Sequence, residues 1–145
     1  MSDLSRKIRF GIAAGAAGSI ANSLAIEAVK ACGLKPGTGG LGRLVFGREL
    51  TRLNAEIFHF GMGVAMAATY VIFIRDHLRG PGWLRGLMYA QIPGALQLFW
   101  VLPATGKGIA GKRVSPSTPV LAWSLNALFG VVLGGLACPD SRADG

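Results

Sequence analysis

Side chains that do chemistry are scarce in this chain. It has two cysteines, two histidines and seven acidic residues among 145. No paired carboxylates, no Ser/His/Asp set and no cysteine cluster fall within its apolar stretches, which excludes a disulfide framework, a thiolate metal centre and a conventional acid–base pair. Cys32 follows the first apolar run and Cys138 ends the last, so in a four-span chain they face opposite sides of the bilayer and cannot pair. An enzyme would have Glu56, His59 and little else to work with. The chain therefore reads as non-catalytic, with no cofactor and no metal site.

Charge is missing where a soluble helix most needs it. No Asp, Glu, Lys or Arg occurs in residues 10–26, 57–74, 86–106 or 114–139. A water-soluble helix keeps a charged outer stripe, and these runs have none. Each is about the length, roughly 17 to 25 residues, at which a helix crosses the hydrocarbon of a bilayer. The expectation is one all-α membrane domain over residues 1–145, with four transmembrane helices near 8–33, 54–75, 83–104 and 118–138. A basic start before an Ala-rich run also fits a signal peptide, but a retained first span is the preferred reading.

What charge there is sits at the ends of the runs. The formal net charge is +8 and the pI about 10.4; in a membrane protein such cations meet anionic headgroups and require no nucleic-acid partner. Seven basic residues fall on one side of a four-span chain and eight on the other, so the positive-inside rule turns on Arg6, Lys7 and Arg9 before the first span. That places both termini in the cytoplasm. Lys107, Lys112 and Arg113 lie in a Gly-rich connection suited to anionic lipid. The matches of residues 37–42 to a dinucleotide fingerprint and of 106–113 to a phosphate-binding loop lack the preceding strand that either motif needs.

Small residues recur at helical spacing. Gly11, Gly15, Ser19 and Ser23 form one ladder, flanked by Ala14, Gly18 and Asn22; Ala122, Asn126, Gly130, Gly134 and Cys138 form another, and Gly63 and Ala67 a shorter one. Such ladders let helix backbones approach closely where the hydrophobic effect does not act. Leu in place of Gly15 or Gly130 should then be harmful, and Leu at Val71 tolerated. Polar residues inside the runs are functional candidates by default: Asn22, Glu56, His59, Gln91, Gln97 and Asn126. Pro93 predicts a kink, with Gln91 placed to satisfy freed backbone or to bond across helices. Thr118 and Pro119 read as cap and first turn of the last helix.

Shifting the chain by 67 residues sets Thr51 on Thr118, His59 on Asn126, Gly63 on Gly130 and Ala67 on Gly134, which suggests two repeated hairpins with His59 and Asn126 as a facing polar pair. Three functions stay open: an accessory or structural subunit packing through the ladders in a complex or homo-oligomer; a small-solute or ion carrier or channel with a polar path near His59, Gln91 and Gln97; and a haem- or pigment-binding protein through His59.

From Phe58 to Leu136 the order of features is His59 with Gly63 one turn on, Tyr70, a short turn with Trp83, Arg85 and Gly86, then Leu102-Pro103 with Gly106 and Gly108, and a last span containing Phe129-Gly130 and Gly134. This order resembles the YagU-like group of small bacterial four-span inner-membrane proteins. The resemblance implies that fold and a cytoplasmic-membrane location, and hardly a function. Asn126 stands where the group carries a histidine, which leaves a two-histidine ligand pair one member short.

Overall fold

The computed structural model describes residues 3–38 and 40–137, and every regular element among them is helical. Helix α1 spans Asp3–Ala31, a short α2 spans Gly40–Phe46, and α3 spans Arg52–Thr69 before a wide π-turn at Tyr70–Ile74 and a 3₁₀ turn at Arg75–His77. Helix α4 covers Gly82–Leu96 and runs on through a π-turn at Gln97–Val101 into α5, Leu102–Ala104. Helix α6 is Thr118–Ala137. The helical stretches Leu4–Ala31, Arg52–His77 and Thr118–Ala137 are long and apolar enough to cross a membrane. Pro93 does not stop α4. The irregularity comes one turn later, as the π-turn, a form in which a helix absorbs a local lesion without ending.

Two glycine seams set the arrangement. Where α1 crosses α3, a Cβ added at Gly15 would lie 2.7 Å from Ala67 Cβ and 2.9 Å from the Gly63 carbonyl oxygen. Where α4 crosses α6, a Cβ at Gly130 would lie 2.6 Å from the Gly86 oxygen, and one at Gly134 2.7 Å from the Gly86 nitrogen. Real Cβ atoms cannot occupy these places, so backbone meets backbone and dispersion contacts replace side-chain burial. Helix α1 also packs on α6, with Phe129 lying against Gly18. Helices α1 and α4 run from the end carrying the start of α1 and the finish of α6, here the terminal end, toward the loop end formed by residues 32–51 and 105–117; α3 and α6 run back.

Each end is tied by bonds between residues distant in sequence. At the terminal end Lys7 Nζ meets Asp76 Oδ2 at 3.0 Å, and Arg75 donates to Asp76 and, at 3.1 Å, to the Ala137 carbonyl, an oxygen that the end of α6 leaves unpaired. At the loop end Lys107 Nζ donates to the Thr38 carbonyl at 2.7 Å, and Thr118 Oγ1 to the Lys35 carbonyl at 2.7 Å. Thr118 thus joins two loops instead of capping its own helix. Its methyl sits where Cβ atoms of Gly37 and Gly111 would be, 2.6 and 2.5 Å away, and both glycines have positive φ, so side chains are excluded there on two counts.

Val71 corrects an expectation. It is 1% exposed and lies where a Cβ on Gly11 would touch it, so it belongs to the core and not to a tolerant outer face. Val120, 70% exposed, is the proper control. Gly15→Leu and Gly130→Leu should each cost at least about 1–3 kcal/mol through overpacking, while Val120→Leu should stay within about 0.5 kcal/mol. Thermal unfolding in mild detergent reads this directly, and equal melting temperatures for all three would refute the seams.

Candidate functional site

The apolar core is divided in two. One cluster, near the terminal end, gathers Ala14, Ala67, Tyr70, Val71, Tyr89, Phe129, Leu133 and Ala137. The other, near the loop end, holds Leu98, Leu102, Ala110 and Ala122. Polar side chains fill the level between them. The helix pairings fix that level: Ser19 lies against Gly63, Ser23 Oγ donates to Glu56 Oε2 at 3.0 Å, Gly18 lies against Phe129, and Gly94 against Asn126. Asn22 is one turn beyond Gly18 and Ser19, and His59 lies between Glu56 and Gly63. Asn126 is one turn before Gly130. Asn22, His59 and Asn126 therefore share one depth.

Their bonding differs from the expected pair. Asn126 Nδ2 donates to Gln97 Oε1 at 3.3 Å and to the Ala122 carbonyl at 2.9 Å, so its partner is Gln97 and not His59. Gly94, one turn before Gln97 on α4, lies beside Asn126 at ordinary van der Waals distance. Among the described residues His59 Nε2, Asn22 Oδ1 and Ser19 Oγ are buried without a hydrogen-bond partner, and Ser19 is 0% exposed. An unsatisfied buried polar group costs about 1–3 kcal/mol, and more in hydrocarbon, where water cannot reach it.

Gln91 leaves the expected polar path. Its Nε2 donates to the Leu87 carbonyl of its own helix at 2.8 Å, and the residue borders an apolar surface groove of about 600 Å³ shared with Ile92, Leu96, Phe99, Trp100 and Trp123. Glu56 keeps to the α1–α3 seam through Ser23. Glu27 pairs with Lys30 at 2.9 Å and approaches Arg52 at 3.6 Å. Gly11, Gly15, Ser19 and Gly63 are used between α1 and α3, and Gly130 and Gly134 between α6 and α4. Cys138, the last rung of the α6 ladder, and Arg142 lie outside the described residues.

Among the described residues no group of three His, Cys, Asp or Glu side chains comes together. What the layer offers is hydrogen bonding: an acceptor at Asn22 Oδ1, a hydroxyl at Ser19, and an imidazole nitrogen that donates or accepts according to its tautomer. A water, an ammonium ion or a small hydroxyl or amide compound matches that set. Sequence reasoning missed the tie of Tyr89 to the Met66 carbonyl at 3.0 Å, because nothing local in either helix signals it. No protein-family model, curated protein or solved structure matches the chain.

Asn126→Ala removes the partner of the Gln97 amide and should lower stability by about 1–3 kcal/mol. Ser19→Ala, which deletes a buried hydroxyl that bonds nothing, should cost less than that. Denaturation midpoints of the two variants in one detergent decide the order, and a larger loss at Ser19 would contradict the bonding described.

Proposed function

We propose that the chain is a four-span protein of a bacterial cytoplasmic membrane that admits a small polar solute or ion to the layer formed by Asn22, His59, Ser19, Gln97 and Asn126. One observation carries the proposal: Asn22 Oδ1 and His59 Nε2 at one depth, with Ser19 Oγ one turn away, are buried and have no hydrogen-bond partner among the described residues. Polar residues at membrane depth are costly and are kept where they handle a ligand or line its route. The fourth span in this reading is Gly82–Ala104, wide-turned at Gln97, the residue that faces Asn126. A pair of similar hairpins, α1 with α3 and α4 with α5 and α6, each closed by a glycine seam, supports the two-fold repeat along the membrane normal, and both termini would be cytoplasmic. The role requires no covalent step, no nucleic acid and no cofactor. A path through so short a chain favours a homo-oligomer.

An accessory-subunit role is the second reading. The small-residue faces that suggested it are occupied inside the chain, so its support shifts to the apolar groove at Ile92, Phe99, Trp100 and Trp123, which suits a partner helix. Through His59 a haem or pigment would find a single ligand, since His77 lies at the terminal end.

The test is flux. Proteoliposomes containing the wild-type chain should pass at least one of ammonium, glycerol or formamide faster than protein-free vesicles, and Asn22→Leu and His59→Phe, if they insert and melt normally, should abolish the difference. Wild-type vesicles no more permeable than empty ones to all three probes would sink the carrier reading.

A further inference from the structure

The loop end carries a second feature that the polar layer does not use. Between α2 and the turn that follows α5 lies a groove of about 380 Å³ lined by Arg43, Leu44, Gly47, Ala104, Thr105 and Gly106. Lys107 adjoins it. This ammonium is half-buried, and burial pulls it below the usual lysine range, with the Glu49 charge acting the other way. Of its three N–H donors one goes to the Thr38 carbonyl. No carboxylate of the described residues lies within 4.0 Å of it. Arg43 has an exposed ion pair with Glu49 at 3.2 Å, which is worth little. Arg43 and Lys107 therefore share the single Glu49 carboxylate, and this excess of positive charge at the groove favours an anion.

The neighbouring surface specifies what kind of anion. Leu44, Val45 and Phe46 of α2 are exposed, Phe46 at 52% with its ring edge-on to Phe58. A basic groove bordered by exposed apolar side chains of a short helix matches an amphiphile, whose phosphate meets the cations while its chains lie along the apolar residues. Lys112 and Arg113, the cations that the sequence singled out, are exposed, and the stem of Arg113 packs on Gly108; neither lines the groove.

We propose that the groove between α2 and the Ala104–Gly106 turn binds the phosphate of an anionic phospholipid, held by Arg43 and Lys107. The proposal is independent of the polar layer. It is tested on the purified chain in a neutral detergent by following thermal unfolding with added dioctanoyl phosphatidylglycerol, dioctanoyl phosphatidylcholine or inorganic phosphate. Phosphatidylglycerol should raise the midpoint, and phosphatidylcholine should not. Arg43→Gln should weaken that response about fivefold, the effect of one cation near an anionic lipid surface, while Lys112→Gln should leave it unchanged. Lys107→Gln also removes the bond to Thr38 and is secondary for that reason. An equal response to both lipids, or an unchanged response in Arg43→Gln, overturns the site. Inorganic phosphate acting as strongly as phosphatidylglycerol overturns the lipid and assigns a free anion.

Discussion

Everything in this molecule depends on how closely its helices approach at two places, Gly15 with Gly63 and Gly86 with Gly130. At both, a methyl group has no room. In a bilayer, where there is no water to expel from between helices, contact at van der Waals distance is the main attraction left, and it falls away steeply with each added carbon. The seams also act as rulers. By fixing which residue of α1 meets which residue of α3, and α4 likewise with α6, they decide the depth of every other side chain, including the polar ones.

That depth gives the polar layer its meaning. Asn22, His59 and Asn126 come from three separate helices and are held level by glycines a turn away. At the terminal end, Arg75 and the Lys7–Asp76 pair bind α1, α3 and α6 together. At the loop end, Lys107 and Thr118 bind the two connections. Each end thus combines an apolar cluster with hydrogen bonds and ion pairs between residues distant in sequence.

Helix boundaries were the most legible feature. The runs read as 54–75, 83–104 and 118–138 end within two residues of Arg52–His77, Gly82–Ala104 and Thr118–Ala137, because charged and turn-forming residues gather in the connections between the helices. The first was read to start at residue 8 and starts at Asp3: Arg6, Lys7 and Arg9 do not break a helix, though they do end an apolar run. The ladders were legible as close-contact faces, since only small residues recur every four positions for that reason. Whether those faces met a partner or the same chain was not, because a glycine is identical in either role.

Composition and periodicity by themselves determined that the chain is helical, where its apolar helices lie, and which side chains are out of place in an apolar setting. Tertiary structure decided the pairings: Asn126 with Gln97 instead of His59, Gln91 turned to its own helix and to the outer groove, Val71 inside, and Lys107 committed to Thr38. The physical reason is that hydropathy and helical period depend on a residue and its near neighbours. A hydrogen bond between residues 29 or 69 positions apart depends on the crossing of helices, and that crossing is set by contacts at the glycine seams whose partners no single segment reveals.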